Sequence, residues 1–599
     1  EVRSAQAARA LVRELRNFAA RQVLRVTLAS MTRGGVVRAA AAGVFGVLAC
    51  AAFYEAAILH GGYDLPAFGL KGMPLEELAF IAWYGLWGSA GVAAFAYAAY
   101  QAFGARLEVG FARVLDSRER TVAALCFAVF CASLLFRGLY LNGQAITDDE
   151  SAYELNAHLL ALGEVTAAPP VHPDFLRNQF VVVDAQRFHG KYPMGHSLLL
   201  APFALLGRVD LLGPCLAALT MALSYGVGRR FVGERIAVLA CVLLACSPHF
   251  IWTYGTLLSQ TTNTACMLAA ALFHLRFSEA GRVSDGLALG SLLGFSVLVR
   301  PLPGGLVVAV LVIDGLRVAL QMGGWSGVAR WVRMMCPGLL LFGAALLACN
   351  YLQSGSPFSS GYAEVHGSYG AFKNESGELS NSIGVSVLRE NVWLLGWPLS
   401  LVAVPFGRPR SRAGLFWSLI ATSLAYRLIV PKTVVSTTGP IYLTEIVPWL
   451  CIASASGLAR IRDGLARLSV AEPNRILASS LLGASVVALV CFVPVGLRAV
   501  GRASRARSEL PDALAAAGAE RAIVFANLMI RPELGWSWAY YPPNPWPDLR
   551  DDVLILRVPT GPDGLARARA LWRERFADRP AFTFDPQRND GRLRALDRD

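Results

Sequence analysis

The chain has 599 residues, 55% of them hydrophobic and only 16% charged, with a mean hydropathy of +0.46. Soluble proteins carry about 25% charged residues, so an apolar excess spread over many runs of about 20 residues excludes an ordinary soluble enzyme and indicates a polytopic membrane protein. The net charge of +13 does not point to nucleic acid, because the arginines sit in short connectors between apolar runs, as topology signals do. The eleven cysteines all lie inside apolar runs without a CxxC, which argues against a disulfide framework or zinc site.

In chain order, residues 1–35 carry seven arginines against two glutamates, with Val12, Leu15, Ala19, Val23 and Val26 at helical spacing. This is the pattern of a basic amphipathic juxtamembrane helix on the cytoplasmic leaflet, or of a solvated arm. Apolar runs follow near 36–60, 78–103, 121–141, 209–228, 236–252, 259–277, 285–300, 302–320, 335–352, 391–407, 413–430, 440–459 and 476–499, predicting about 13 spans. With the amino terminus inside, the cytoplasmic connectors hold Arg106 to Arg120, Arg229 to Arg235, Arg276 and Arg282, Arg317 to Arg333, Arg408 to Arg412, and Arg460 to Arg475. The outer connectors are long and acidic or neutral, which fits the positive-inside rule for a bacterial inner membrane. At Arg300-Pro301 two runs meet with almost no loop, which also fits a broken helix lining a cavity.

Three segments fall outside: 142–208, 353–390 and 500–599. The first has a helical pattern (Ala152, Leu155, Leu159, Leu162) ending at Gly163, then an apolar stretch, Ser197–Leu206, too short to span. The last mixes strand-like runs (Ala522–Ala526, Val553–Val558, Ala581–Phe584) with helical ones (Pro511–Ala517, Leu565–Phe576). It is expected to form a small periplasmic α/β domain. The division predicted is therefore 1–35, a juxtamembrane helix; 36–119, amino-terminal spans; 120–499, a transmembrane domain with outer loops 142–208 and 353–390; and 500–599.

The stretch Thr147-Asp148-Asp149-Glu150 stands where the first long outer loop begins. A Thr with Glu three residues later is a capping box, and acidic groups favour the first turn of a helix. Three consecutive carboxylates beside a membrane, with Tyr153 one turn on, exceed what a cap needs. A carboxylate there can take the proton of an acceptor hydroxyl as it attacks an anomeric carbon. A phosphate leaving group then needs a cation, either a divalent metal such as Mg2+ or Mn2+ or a Lys or Arg side chain. Lys191, Arg300, Arg427 and Lys432 are the candidates. Arg300 is deepest in an apolar run, while Arg427 and Lys432 also suit snorkelling to the interface. The histidines His158, His172, His189, His196 and His366 are scattered without metal-motif spacing.

The segments Asp149-Glu150-Ser-Ala-Tyr153 with Leu162-Gly163, Gly190-Lys191-Tyr192-Pro-Met-Gly-His196, Leu298-Val-Arg300-Pro301, Gly355-Ser-Pro-Phe-Ser-Ser-Gly361-Tyr362 and Gly439-Pro-Ile-Tyr442-Leu-Thr-Glu445 resemble motifs of the GT-C class of membrane glycosyltransferases. That class includes the protein O-mannosyltransferases and the aminoarabinose transferases that modify lipid A. The resemblance covers roughly 120–460. It implies a GT-C-like fold and an inverting transfer of a hexose or pentose from a polyprenyl-phosphate donor to a glycan, lipid or protein acceptor on the periplasmic side. It points to Asp149 at the transfer centre with Asp148 and Glu150 beside it, and to Lys191 near the donor phosphate. The same motifs put Tyr153, His189, Tyr192, His196, Tyr362, Tyr442 and Glu445 around the substrate. The chain departs from the pattern in its extra amino-terminal spans and in reading Lys-Tyr-Pro where the aminoarabinose transferases have Lys-Pro-Pro. The rival expectations are a transporter or flippase of a lipid-linked substrate and a non-catalytic scaffold subunit of a membrane complex.

Overall fold

The computed structural model describes residues 33–59, 81–366, 378–430, 438–527, 529–530, 539–540, 542–586 and 591–597. The basic arm at 1–32 and Lys432 lie outside these residues. Apolar runs become helices because, away from water, every backbone N–H and C=O must be met within its own segment.

The first helices are α1 (Arg33–Leu59), α2 (Ser89–Asp116, entered through a π turn at Tyr84–Gly88) and α3 (Arg118–Leu139). The outer loop holds α4 (Asp148–Ala161), a hairpin of β1 (Val181–Val183) and β2 (Phe188–Gly190), and α5 (Met194–Leu205). Then come α6 (Leu212–Phe231), α7 (Glu234–Ala245), α8 (Pro248–Tyr254), α9 (Ser259–Ala280), α10 (Val283–Val299) and α11 (Pro301–Ser354). The helical part ends with α12 (Gly361–His366), α13 (Glu378–Trp393), α14 (Ala413–Ile429), α15 (Val447–Arg467), α16 (Pro473–Val487) and α17 (Val493–Ala516).

Among the described residues, six helices are long and apolar enough to cross a membrane, or seven if α7 and α8 form one span bent by 64°. Helix α11 has 54 residues, about 80 Å at 1.5 Å per residue and more than twice a bilayer core. Gly323 and Gly324 break it into two limbs, with Gly324 at φ +56, a left-handed conformation that suits glycine. The two runs expected at 302–320 and 335–352 are these limbs. Glycines also let the second limb close on α10: a Cβ at Gly290 would lie 1.9 Å from the Met335 carbonyl oxygen, the small-residue contact of membrane helix pairs.

The expected span at 391–407 is a correction. Residues 391–393 finish α13, and 394–407 run as turns and a 3-10 turn at Val404–Phe406. Gly396, Pro398 and Pro405 oppose a helix, and side chains replace its hydrogen bonds. Ser400 Oγ accepts from the N–H groups of Leu395 and Trp397 at 3.2 Å, and Asn391 Oδ1 from that of Leu401 at 3.1 Å. Irregular backbone is tolerated at such depth when its polar groups are met inside the protein.

The Arg-rich connectors meet at one end of the bundle. Arg118 pairs with Glu234, Arg235 with Asp116 at 3.0 Å and Arg230 with Glu279. Arg330 reaches the Gly281 carbonyl at 2.7 Å and Arg475 that of Tyr100 at 2.8 Å. At the other end the chain after α17 forms β3 (Ala522–Ala526), the short pair β4 (Met529–Ile530) and β5 (Ala539–Tyr540), β6 (Val553–Arg557), α18 (Gly564–Arg575), β7 (Ala581–Phe584) and β8 (Leu593–Ala595). The sheet order is β6-β3-β7-β8, with β3 parallel to both neighbours and β8 antiparallel. All five residues of β3 are buried, as a central parallel strand covered on both faces requires. One face packs on Leu510 and Ala513 of α17. On the other face, Ile523, Phe525, Leu554 and Leu556 join Trp572 of α18 and Leu155, Leu159 and Phe175 of the outer loop. The sheet therefore sits directly on α4.

Candidate active site

Helix α4 starts at the acidic triplet, and its three carboxylates have different surroundings. Glu150 is fully buried. Its Oε1 accepts from the N–H groups of Ile146 at 3.0 Å and Thr147 at 3.2 Å, and its Oε2 from that of Leu257 at 3.0 Å. Arg137, from the end of α3, stands 3.8 Å away. Glu150 thus caps α4 and fastens it to the loop before α9. Asp148 is buried against Arg507 of α17 at 3.1 Å. Asp149 is half-buried and accepts a hydrogen bond from the Tyr192 hydroxyl. Burial first, and then the Asp149 charge, push the Tyr192 hydroxyl well above its ordinary range, so it stays protonated and keeps donating.

Asn156, one of the buried residues of α4, positions this partner. Its Oδ1 accepts from the Gly190 N–H at 2.7 Å, and its Nδ2 donates to the Tyr192 carbonyl at 3.0 Å. A Cβ at Gly190 would lie 2.5 Å from the Ala152 carbonyl oxygen, so only glycine lets β2 lie this close to α4. Between Gly190 and Tyr192, Lys191 is buried with its ammonium 3.4 Å from the Phe180 ring centre, 4.9 Å from Tyr192 and 5.4 Å from Tyr362. Such rings attract a cation through their negative faces. Tyr362 meets Tyr192 edge-on at 5.4 Å. It is carried by α12, which Arg187 holds to the hairpin through Glu364 at 2.9 Å.

Tyr153 stacks on Tyr192 at 4.4 Å and shares a 2.7 Å hydrogen bond with Ser259 at the start of α9. The first six residues of α9, Ser259 to Thr264, are all buried and all polar. Arg300, at the junction of α10 and α11, donates to Ser259 Oγ at 3.3 Å, and its Nε lies 3.2 Å from Glu445. Asn263 bridges Glu445 at 3.5 Å and Ser296 at 2.6 Å. Arg300 also lies over Tyr426 at 5.9 Å, Tyr426 meets Tyr442 at 5.5 Å, and Arg427 lies over Tyr442 at 5.1 Å. The structure thus joins Asp149, Tyr192, Lys191, Tyr153, Tyr362, Arg300 and Glu445 through shared rings and hydrogen bonds. Tyr442 and Arg427 extend the same wall.

Among the described side chains, which do not include that of His366, the histidines do not converge. His196 uses both ring nitrogens, at 2.8 Å each, on Thr262 and the Leu257 carbonyl. His189 is buried on β2, and that burial pushes its pKa down. His158 stacks on Trp546 at 3.8 Å, and burial pushes it to about 4. His172 lies on Asp174 at 3.4 Å near the sheet. Among the described residues no three His, Cys, Asp or Glu side chains gather to hold a metal. Asn156, Ser259, Asn263 and Arg137 were not singled out from the sequence. The unbroken polar run Ser259-Gln-Thr-Thr-Asn-Thr264 opening an apolar segment was the available signal for two of them.

Residues 203–349, from the end of α5 into the second limb of α11, match the family model for dolichyl-phosphate-mannose-protein mannosyltransferases. Over that stretch the expected resemblance is found. No curated protein matches the chain. Among solved structures, ArnT from Cupriavidus metallidurans bound to undecaprenyl phosphate is 16% identical with a TM-score of 0.44, covering 78% of this chain and 92% of that one. Its apo form gives a TM-score of 0.45 with the same identity and coverage. An oligosaccharyltransferase from Archaeoglobus fulgidus, in complex with Zn and sulfate, is 12% identical with a TM-score of 0.30, covering 59% of this chain and 52% of that one.

Proposed function

We propose that this protein is a membrane glycosyltransferase that moves a sugar from a polyprenyl-phosphate donor to an acceptor hydroxyl. The reaction takes place at the end of the bundle opposite the Arg-rich connectors, which the positive-inside rule assigns to the cytoplasm. In a bacterial inner membrane this puts the site and the α/β domain on the periplasmic side. The carrying observation is that Asp149 meets the Tyr192 hydroxyl, while Lys191 lies over the Tyr192 ring and Arg300 shares Ser259 with Tyr153, which stacks on Tyr192. The match over 203–349 agrees with a lipid-phosphate sugar as donor.

In this reading the acceptor oxygen replaces the Tyr192 hydroxyl at Asp149. The carboxylate takes the acceptor proton as the new bond to the anomeric carbon forms and the bond to phosphate breaks, inverting that centre. Lys191 neutralises the charge developing on the departing phosphate, while Arg300 holds that phosphate from donor binding onward, with Arg427 further along the wall. Glu445 keeps the Arg300 guanidinium oriented. Glu150 and Asp148 hold the start of α4 in place without touching the substrate. No step is routed through a metal.

The test is Asp149→Asn in the full-length protein with a polyprenyl-phosphate sugar. Transfer should fall by about 100-fold or more, the scale of a lost general base, with an unchanged melting temperature. Undiminished transfer would overturn the assignment. One observation favours a second reading, a carrier of a lipid-linked substrate: buried carboxylates at Glu390 and Glu445 lie among the apolar helices, where transporters place them. Substrate uptake by proteoliposomes without sugar transfer would establish it.

A further inference from the structure

A second buried ionisable pair lies outside the wall just described. His249 is the second residue of α8, beyond the 64° bend, and is fully buried. Its Nδ1 is 2.9 Å from Glu390 Oε2 on α13, and its Nε2 is 3.1 Å from Thr444 Oγ1. Glu390 at Nδ1 and Thr444 at Nε2 engage both ring nitrogens and so fix the orientation of the imidazole. The loop before Thr444 is moulded on the imidazole. Gly439 has φ +129, and a Cβ there would lie 3.0 Å from His249 Cδ2 and 3.3 Å from Trp393. Thr444 belongs to the 3-10 turn Ile441–Ile446, and the next residue is Glu445, 3.2 Å from Arg300 Nε.

Burying a carboxylate among apolar helices is costly unless its partners repay it, and Glu390 is neither at a helix start nor at the wall. We infer that the Glu390–His249–Thr444 chain is a positioning device: it fixes the turn that aims Glu445, and through it Arg300, at the donor phosphate. The link to the phosphate rests on the reading of Arg300 given above. The bracing of the turn does not.

The discriminating variants are Thr444→Val, which removes the hydroxyl but keeps the shape, and Thr444→Ser, which keeps the hydroxyl. In the full-length protein in proteoliposomes with a polyprenyl-phosphate sugar, Thr444→Val should raise the donor KM by about tenfold, the effect of one lost buried hydrogen bond. Because the phosphate contact exists in ground and transition states alike, kcat should stay nearly constant. Thr444→Ser should restore the wild-type KM. Added to Glu445→Gln, Thr444→Val should raise KM no further, since coupled residues are not additive. An additive rise, or an unchanged KM in Thr444→Val, overturns the device.

Hydrogen exchange over 441–446, read without donor, separates the two layers. Faster exchange in Thr444→Val and Glu390→Gln, in a protein that transfers no sugar, supports the bracing and removes the donor reading. Unchanged exchange overturns the bracing whatever the activity.

Discussion

The start of α4 and the start of α9 are both buried, polar helix ends, yet they are assembled in opposite ways. At α4, three carboxylates adjacent in sequence go to three different partners: Arg507, Tyr192 and a set of backbone N–H groups. At α9, groups from Tyr153 to Glu445, far apart in sequence, converge on Ser259 and Asn263. Clustering in the sequence overstates the size of the first site, and dispersal hides the second. Of the triplet, Asp149 is the one that stays half-buried, with the Tyr192 hydroxyl on its carboxylate, whereas nearly every member of the second group depends on another.

Variants test this contrast. The largest effect is expected from the pair Asp149→Asn and Glu150→Ala. The first should cost about 100-fold to 10,000-fold in transfer with no loss of stability. The second should cost about 3 kcal/mol of stability, because Arg137 and the backbone donors lose a buried partner. If thermal unfolding and transfer assays showed the two variants behaving alike, the division of labour within the triplet would be wrong. Arg300→Gln comes next. It should raise the donor KM by about tenfold or more, as loss of a charge-assisted contact does, without a comparable loss of kcat.

A smaller effect concerns pH. His158 is held neutral, at about 4 against an ordinary 6.5, so folding disfavours its protonation. The stability this contributes is complete above about pH 6.5 and is lost as pH falls towards 4. The melting temperature of wild type should therefore drop more steeply over that window than that of His158→Phe; parallel curves would contradict the shift. The smallest effect is expected from Ser259→Ala, which removes the hydroxyl shared by Tyr153 and Arg300 and should cost about 1 kcal/mol in thermal unfolding.

Much of the helical layout was legible because hydropathy reports removal from water, by lipid as well as by protein: α3, α6, α9 and both limbs of α11 coincide with apolar runs. The three main strands of the sheet also fall where short apolar runs lie between turn residues. The run at 391–407 misled because hydropathy registers depth and not backbone form, and Ser400 and Asn391 supply what a helix would have supplied. At the site, Asp149 and Lys191 stand out by charge. Asn156 does not, because its work is hydrogen bonding to backbone atoms 34 and 36 residues away. His249 was hidden for the same reason, since its partners lie 141 and 195 residues downstream.

The seating of the sheet on α4 also orders events in time. Asp148 finds Arg507 359 residues later, and the Ser151 carbonyl meets Asn544 393 residues later. While the chain is being made, Leu155 and Leu159 have no sheet to cover them. The acidic end of α4 gains the Arg507 partner of Asp148 only after α17 has emerged and docked, and the apolar side of α4 is covered only after the strands follow. A chain cut short before α17 thus leaves Asp148 without Arg507, and one cut short before β3 leaves Leu155 and Leu159 uncovered.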